Sequence, residues 1–487
     1  MPARTGNDYL ESLKASPPNI WIGGEEVDDP TTHPAFRNVV RSIARLYDLQ
    51  RRDGMTYPDA ETGKPEGYSH IIPRTRDELI ARNRAIKAWQ DDCLGFMGRT
   101  PDYLNVSHAA MAAAREFFAQ NDPRFGDNIA EYHRHVREHD LCMTHALTNP
   151  QVNRSAGASG QPDPYIALGV VKQTDRGVVV RGARMLATLP VAEEITVFPS
   201  TVLKADEHAS RYALAFAIPT NLPGLKFICR ESLDGGHAPA DHPLGSRFEE
   251  MDALVVFDDV LVPWERVFIL GDVGLCNTAY RETNAVLHMA NQSTINKVSK
   301  TETFLGVAGL MAETIAITQF QHVQEKIAEI INVLEIMKGL WHASETNARL
   351  DRWGAMTPAR GPLDAARNTY PRIYPRLVEI IQLLGASGLI TIPPVSDLDS
   401  PVGPYLEKYL QARDAPARER LTLFRLAWDI ALSAFGSRQV LYERFFFGDP
   451  VRMMSALYEI YDKQPVMDRV RSFLAEETRA REPVVTG

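Results

Sequence analysis

The sequence predicts an α+β chain in which a central β domain lies between two helical regions. Apolar residues recur at helical spacing at both ends of the chain, whereas short runs rich in Val, Ile, Phe and Thr alternate with turn formers in the middle. Hydrophobic residues make up 44% of the 487 positions and charged residues 24%, which is enough for a sizeable core. The predicted domains are an N-terminal helical domain, 1–145, a central β barrel or sandwich, 146–270, and a C-terminal helical bundle with a tail, 271–487.

The N-terminal region contains four candidate helices, at 33–51, 76–97, 102–120 and 128–140. Pro34 lies at the start of the first, where a missing amide proton costs little. The apolar residues of this helix recur at i, i+3, i+4 and i+7 and form one face, made of Phe36, Val39, Val40, Ile43, Leu46 and Tyr47. The spacing therefore predicts amphipathic helices, each with one buried face.

The middle of the chain reads as a series of short strands. A plausible hairpin loop, Asp175-Arg176-Gly177, separates the first two of them. The predicted strands lie at 165–174, 178–180, 195–198, 212–218, 225–229 and 253–261. Strands at this spacing favour a compact sandwich or barrel of about 100 residues.

The C-terminal region returns to helical spacing. An apolar stripe runs along it, formed by Val323, Ile327, Ile330, Ile331, Leu334 and Trp341. The helical pattern over 302–344 exceeds the usual length of a single helix, so we predict two long helices of a bundle.

Composition excludes several classes of protein. The formal charge is −9, from 62 acidic and 53 basic side chains, which gives no electrostatic case for nucleic acid. Four widely spaced cysteines favour reduced thiols rather than a disulfide framework. Residues 1–14 are polar and lack the apolar stretch of a signal peptide, and no run of about 18 apolar residues occurs. We therefore expect a cytoplasmic chain without a membrane or nucleic-acid partner.

Several familiar motifs are missing from the sequence. It contains no G-x-G-x-x-G after a strand, no G-x-x-x-x-G-K-[ST] and no G-x-S-x-G. The run HVREH at 135–139 matches a zinc-peptidase pattern, with two histidines four residues apart on one helix face. Because this run is crowded with other charged residues, we interpret it as a helix surface and expect no metal.

Three segments combine polar and titratable residues near the junction between the helical and β regions. They are MGRTPDY at 97–103, LCMTHALTNPQVNR at 141–154 and GARMLATLP at 182–190. Together they offer fixed charge, hydrogen-bond donors and an imidazole where pockets tend to form.

At these residues the chain resembles the 4-hydroxyphenylacetate 3-monooxygenase family, the oxygenase components of two-component flavin-dependent aromatic hydroxylases. The resemblance covers nearly the whole length and includes RTPDY at 99–103, THALTNPQVNR at 144–154, GARMLATLP at 182–190, VVFDDV at 255–260, VPWER at 262–266 and YERFFFGDP at 442–450. It implies an acyl-CoA-dehydrogenase-like fold assembled as a homotetramer. It also implies hydroxylation of 4-hydroxyphenylacetate to 3,4-dihydroxyphenylacetate with O₂ and reduced FAD, which a separate NAD(P)H–flavin reductase supplies by diffusion.

The same resemblance implies the residues of the site. Arg99, Tyr103 and His145 would surround the phenol hydroxyl as catalytic residues. Fixed positive charge stabilises a developing oxyanion, and an imidazole can accept the phenolic proton. The implied substrate-binding residues add Thr100, Pro101 and Asp102, with Ser200 and Thr201 for the substrate carboxylate. The implied flavin-binding residues are His145, Ala146, Leu147, Gln151, Val152, Asn153, Arg154, Thr188, Phe446, Phe447, Gly448 and Asp449, the last four from a neighbouring subunit.

Three alternatives remain open at this point. The first is the same chemistry on another phenol, such as a halophenol, a nitrophenol or 4-coumarate. The second is 4-hydroxybutyryl-CoA dehydratase, whose iron–sulfur cluster needs cysteines where this chain has Met97, four residues after Cys93, and Ile295, seven residues after His288. The third is a helical scaffold without catalytic activity, which predicts no binding of reduced flavin and no oxygen-dependent turnover.

Overall fold

The computed structural model of the chain describes residues 3–60, 62–199, 203–204 and 208–480. Its N-terminal region consists mainly of helices: α1 (Gly6–Ala15), α2 (Arg37–Leu49), α3 (Arg76–Asp92), α4 (Asp102–Ala113), α5 (Arg115–Ala119) and α6 (Pro123–His139). Thr5 and Thr75 begin α1 and α3 with capping boxes, which satisfy backbone N–H groups of the first turn. The helix predicted over 102–120 is divided at Ala114 into α4 and α5, and the helix predicted over 128–140 begins earlier, at Pro123.

Short strands that the sequence did not predict interrupt these helices: β1 (Ile20–Ile22), β2 (Glu25–Glu26), β3 (Thr56–Pro58) and β4 (Pro65–Gly67). Two or three residues are too few to show alternation, so periodicity could not find them. β1 pairs in parallel with a strand of the central domain, Ile20 opposite Phe227. The N-terminal segment is therefore part of the central sheet.

The central domain is a sandwich of two sheets. Its strands are β5 (Met143–Ala146), β6 (Gly169–Gln173), β7 (Gly177–Thr188), β8 (Glu194–Val197), β9 (Leu214–Pro219), β10 (Leu225–Cys229), β11 (Asp252–Pro263) and β12 (Val267–Leu270), with the short helix α7 (Gly245–Phe248) before β11. One sheet has the order β2-β1-β10-β11-β7-β6 and the other β12-β9-β8-β5. Phe216 and Phe257 meet edge to face between the sheets, with ring centroids 6.0 Å apart.

The strand predicted at 178–180 is longer in the structure: β7 runs eight residues beyond Val180, to Thr188, and carries all but the last two residues of the GARMLATLP segment. Gly182 lies within it at φ +120, and a Cβ there would stand 2.5 Å from the carbonyl oxygen of Ala167. Only glycine fits this backbone. The strand β5 spans Met143–Ala146, across the predicted boundary between residues 145 and 146; the domain limits themselves stay a prediction.

The C-terminal region is a helical bundle. It contains α8 (Val273–Glu282), α9 (Ala285–Thr314), α10 (Gln321–Thr346), the hairpin β13 (Arg349–Leu350) and β14 (Met356–Thr357), α11 (Arg360–Gly385), α12 (Ser387–Ile390), α13 (Gly403–Tyr409), α14 (Ala417–Ala431), α15 (Ala434–Phe445), α16 (Pro450–Ile460) and α17 (Gln464–Ala480). The two long helices predicted over 302–344 are confirmed as α9 and α10. From Leu287 to Thr301 every residue of α9 is buried, because α3, α4, α10 and α11 pack around it.

Helices α16 and α17 differ from the rest of the bundle because their apolar side chains are exposed. Val451 is 74% exposed, Tyr458 69% and Phe473 62%. In the described part of the chain, no helix is both long and apolar enough to cross a bilayer.

Candidate active site

The three residues expected around a phenol hydroxyl come together in the structure. Arg99 lies in the loop between α3 and α4, Tyr103 in the first turn of α4, and His145 in β5. The guanidinium carbon of Arg99 is 4.3 Å from the centroid of the Tyr103 ring. The Tyr103 and His145 rings are 5.8 Å apart, centroid to centroid. The N-terminal helices and the sandwich therefore build this group of side chains jointly.

Arg99 is held from both ends. Its backbone N–H donates to Oε1 of Glu250 at 2.6 Å, and its guanidinium donates to the hydroxyl of Tyr442 at 3.0 Å. A Cβ at Gly98 would stand 1.8 Å from that hydroxyl, so glycine is needed for Tyr442 to reach Arg99. The Nε atom of Arg99 is buried and has no hydrogen-bond partner among the described residues. This donor is therefore free to bond to a group bound at the site.

His145 is a neutral imidazole in this environment. It is 7% exposed, and β5 places it opposite Thr196 of β8 in parallel register. Burial, with the charge of Arg99 adding to it, holds the pKa of His145 well below its usual value. A neutral imidazole can accept a hydrogen bond from a phenol, and the charge of Arg99 favours the phenolate form of that phenol.

Aromatic rings from the end of α15 cover this group. Phe446 lies 5.6 Å from the Tyr103 ring and 4.4 Å from the Arg99 guanidinium carbon. We expected the segment 446–449 to come from a neighbouring subunit, but here Phe446 contacts Tyr103 of its own chain. Gly448 has φ +114, and Asp449 caps α16 by accepting from the N–H of Arg452 at 2.9 Å. The contact of these residues with flavin stays a prediction.

Thr100 and Asp102 belong to a separate buried network. The Thr100 hydroxyl donates to Asp102 at 2.5 Å, and the amide of Gln90 donates to Thr100 at 2.8 Å. Gln292 of α9 donates to Asp102 at 3.2 Å. Burial raises the pKa of Asp102 to about 6. These bonds fix the turn that presents Arg99 and Tyr103, next to the buried Pro101; direct contact of Thr100, Pro101 and Asp102 with substrate stays a prediction.

The residues expected to line flavin follow His145 along the chain. Ala146 is buried in β5, and the carbonyl of Leu147 accepts from Arg184 at 3.2 Å. The next four, Gln151, Val152, Asn153 and Arg154, are exposed on a loop. A groove of about 490 Å³ lies beside this loop and is lined by Pro150, Val152, Gly182, Ala183 and residues of β10 and β11. The lining of this groove does not include Arg99, Tyr103 or His145. The observation that fits a bound polar group at the site is the buried Nε of Arg99, and the binding of flavin along the 151–154 loop stays a prediction.

Thr188 connects this region to the C-terminal bundle. Its carbonyl accepts from the hydroxyl of Thr144 at 2.6 Å, and its own hydroxyl donates to Asp252 at 2.7 Å. Arg438 of α15 donates to Asp252 at 2.7 Å and lies 3.5 Å from Glu250, the carboxylate that holds Arg99. One ionic network thus joins β7, β11 and α15 behind the site.

Ser200 and Thr201, expected to bind the substrate carboxylate, lie outside the described residues. Leu203, just after them, is anchored on α8, because its N–H donates to Asn277 at 3.0 Å and its carbonyl accepts from Asn277 at 2.8 Å.

Sequence reasoning missed the charged groups behind the aromatic rings. Lys297 and Lys300 of α9 are 1% and 0% exposed and both contact Glu443 of α15. Between Leu287 and Thr301 these lysines are the only Lys, Arg, Asp or Glu residues. Two lysines in an otherwise uncharged stretch of α9 were a signal, but their partner lies about 145 residues away along the chain and could not be read from spacing.

The chain matches known proteins over nearly its whole length. The family models "4-hydroxyphenylacetate 3-hydroxylase N terminal" and "4-hydroxyphenylacetate 3-hydroxylase C terminal" match residues 5–269 and 276–475. The chain is 57% identical to the oxygenase component of 4-hydroxyphenylacetate 3-monooxygenase from Thermus thermophilus, over 99% of each chain. It is 34% identical to the oxygenase component of 4-nitrophenol 2-monooxygenase from a Rhodococcus species, over 91% of this chain and 86% of the relative.

Solved structures extend the comparison to the fold. An oxygenase component of 4-hydroxyphenylacetate 3-monooxygenase complexed with FAD and 4-hydroxyphenylacetate superposes with a TM-score of 0.94 at 56% identity, covering 98% of this chain and 100% of that one. A 4-hydroxybutyryl-CoA dehydratase from N. maritimus superposes with a TM-score of 0.87 at 21% identity, over 97% of this chain and 95% of that one, which shows a shared fold alone. The predicted acyl-CoA-dehydrogenase-like fold class is confirmed. On these matches, the chain belongs to the 4-hydroxyphenylacetate 3-hydroxylase family.

Proposed function

We propose that the chain is the oxygenase component of a two-component monooxygenase that hydroxylates 4-hydroxyphenylacetate ortho to its phenol, giving 3,4-dihydroxyphenylacetate. The observation that carries this proposal is the group formed by Arg99, Tyr103 and a neutral His145, in a chain 57% identical to a relative named for that reaction. Reduced FAD, when bound, supplies the activation of O₂ for transfer of one oxygen atom to the ring.

The chain's own residues act on the phenol. Hydroxylation ortho to a phenol is an electrophilic substitution, which is faster when the ring carries phenolate character. The fixed charge of Arg99 stabilises the developing oxyanion, and His145 accepts the phenolic proton. Burial raises the pKa of Tyr103, which keeps its hydroxyl protonated and able to donate a hydrogen bond to the same oxygen. Phe446 covers the group and excludes water from it.

Other phenols are the nearest competing substrates, because the family includes a 4-nitrophenol 2-monooxygenase that is 34% identical to this chain. The higher identity to relatives named for 4-hydroxyphenylacetate, 57% and 51%, favours that substrate. A dehydratase reaction is disfavoured, because Met97 and Ile295 cannot supply thiolates to a cluster. Cys93 itself is buried, and burial raises its pKa to about 12, so its thiol stays protonated.

We propose a homotetramer that receives reduced FAD from a separate NAD(P)H–flavin reductase. Exposed apolar side chains on α16 and α17 support contacts between copies of this chain; they include Val451, Tyr458, Val470 and Phe473. Absence of a Rossmann fingerprint supports the use of NAD(P)H by another protein. We place the protein in the cytoplasm because its four cysteines are all unpaired.

The test gives the purified protein chemically reduced FAD, O₂ and a panel of phenols, with products identified by mass spectrometry. We expect 3,4-dihydroxyphenylacetate as the fastest product, and slower or no product from 4-nitrophenol and 4-coumarate. Faster turnover of another phenol would overturn the substrate assignment. If no phenol gives an oxygen-dependent product, the proposed function is wrong and the chain is better interpreted as a helical scaffold without catalytic activity.

A further inference from the structure

Two lysines of α9 share one carboxylate in the interior. Lys297 and Lys300 both donate to Oε1 of Glu443, at 2.9 Å and 2.5 Å, and Nζ of Lys297 also lies 2.8 Å from Oε2. All three side chains are at most 1% exposed. Their other hydrogen bonds go to neutral amides, from Lys297 to Asn296 and from Lys300 to Gln439.

The cluster carries one more positive than negative charge. No second carboxylate in the described part of the chain contacts either lysine. An uncompensated charge in the interior is costly, and proteins retain such charges where a partner of opposite sign binds. The excess charge therefore points to an anion that the chain itself does not provide.

The two lysines face different surroundings. Lys297 lies 4.6 Å from the centroid of the Phe446 ring and 5.9 Å from that of Phe447, the aromatic pair expected to contact flavin. Lys300 instead lies 5.0 Å from Phe96 and 5.5 Å from Tyr374, within the bundle core. Lys297 is thus the member of the cluster that presents its charge toward the expected flavin site.

We propose that Lys297, which lies near the same Phe446 ring as Arg99, supplies positive charge that makes the site prefer reduced over oxidised flavin. The proposal rests on the proposed function and deepens it by naming the residue that selects the cofactor's redox state. The oxidised isoalloxazine ring is neutral, whereas the ring of reduced flavin becomes an anion on losing its N1 proton. A buried cation near the ring stabilises only the anionic form.

The phenolate of the substrate is a less suitable partner for this charge. Tyr103 and His145, which mark the expected position of the phenol, already have Arg99 as their cation, 4.3 Å from the Tyr103 ring. The aromatic rings over which Lys297 lies are Tyr370, Tyr442, Phe446 and Phe447.

The experiment compares Lys297→Met with Lys300→Met. Each variant removes one lysine and leaves Glu443 with one partner, so both keep a balanced buried pair. The dissociation constants of dithionite-reduced FAD, measured without oxygen, and of oxidised FAD are determined for each protein by equilibrium dialysis. We expect Lys297→Met to weaken binding of reduced FAD about tenfold or more while leaving oxidised FAD unchanged. We expect a smaller change in Lys300→Met.

Several results would overturn the proposal. If the wild type binds reduced and oxidised FAD with equal affinity, the proposal is wrong. This measurement needs no variant, so the proposal can be tested even if Lys297→Met does not fold. Equal loss of both forms would indicate structural damage, and a change confined to the affinity for 4-hydroxyphenylacetate would assign the charge to the phenolate. If the wild type binds neither form of flavin, the proposed function fails as well; if it forms the catechol without a redox preference, only the role of Lys297 fails.

Discussion

At the scale of single residues, the charge of Arg99 is the feature on which the chemistry depends most. Its guanidinium lies 4.3 Å from the Tyr103 ring, and Tyr442 and Glu250 fix its position. We expect Arg99→Gln to lower the rate of catechol formation by about 10²–10³-fold, the usual effect of removing one oxyanion donor. Turnover with reduced FAD and excess substrate measures it.

The control for this variant is Arg134→Gln. Arg134 is 49% exposed at its side chain and pairs with Glu131 and Glu138 on the surface of α6. We expect wild-type turnover from it. Wild-type turnover from Arg99→Gln as well would refute the assigned role of the guanidinium.

His108 lies behind His145 and gives a pH-dependent prediction. It bonds to the Leu104 carbonyl at 2.9 Å and to the Thr196 hydroxyl at 3.1 Å, and burial lowers its pKa to about 4. A folded pKa below the unfolded value of about 6.5 means that the unfolded chain binds the proton more tightly. Its contribution to stability is therefore complete above pH 6.5 and falls as the pH drops toward 4.

The variant His108→Gln removes this proton linkage. Between pH 7.5 and pH 5.0 the wild type should lose about 2 kcal/mol more stability than the variant, from the two pKa values. Thermal unfolding of both proteins, followed by circular dichroism at the two pH values, measures the difference. If the thermal unfolding midpoints of the wild type and the variant fall equally between the two pH values, His108 is not the titrating group.

At the scale of elements, an ionic network holds the sandwich against the bundle. Asp252 of β11 pairs with Arg438 of α15 at 2.7 Å and with Arg230 at 3.0 Å. Although burial opposes it, the charges of these arginines hold the pKa of Asp252 below its usual value. We expect Asp252→Asn to destabilise the fold by about 3 kcal/mol, because it leaves two partly buried arginines without a shared carboxylate. Thermal unfolding reports the loss.

A matched control lies on the same strand. Asp259 also pairs with an arginine, Arg181, but both side chains are more than 40% exposed. Exposed ion pairs contribute little, so Asp259→Asn should leave the midpoint nearly unchanged. Equal effects of the two substitutions would mean that the network does not join the layers.

The elements also show what local sequence could predict. The strands predicted at 195–198 and 225–229 are confirmed as β8 and β10, because short apolar runs between turn formers determine them locally. β1 and β5 were missed: each is too short to show periodicity, and each pairs in parallel with a strand that is distant along the chain, although β1 also pairs with its neighbour β2. Arg99, Tyr103 and His145 were predicted by resemblance, whereas Glu250 and Glu443 reach the site through contacts that spacing does not encode.

At the scale of the whole molecule, the exposed apolar faces of α16 and α17 predict assembly. Val470 and Phe473, 57% and 62% exposed, lie three residues apart on one face of α17. We expect the double substitution Val470→Asp and Phe473→Asp to lower the mass measured by light scattering below that of a tetramer, with helical content retained. Arg471→Gln, between them on another face, should leave the mass unchanged. An unchanged mass in the double variant would show that α17 is not an interface.

The central claim is that the chain itself directs one oxygen atom from O₂ onto the phenol ring. The most direct measurement supplies the purified chain with chemically reduced FAD, 4-hydroxyphenylacetate and dioxygen labelled with oxygen-18, and then weighs the product by mass spectrometry. Our account predicts 3,4-dihydroxyphenylacetate that carries one labelled oxygen, and none when the label is in water. A product without label, or labelled from water, would contradict it.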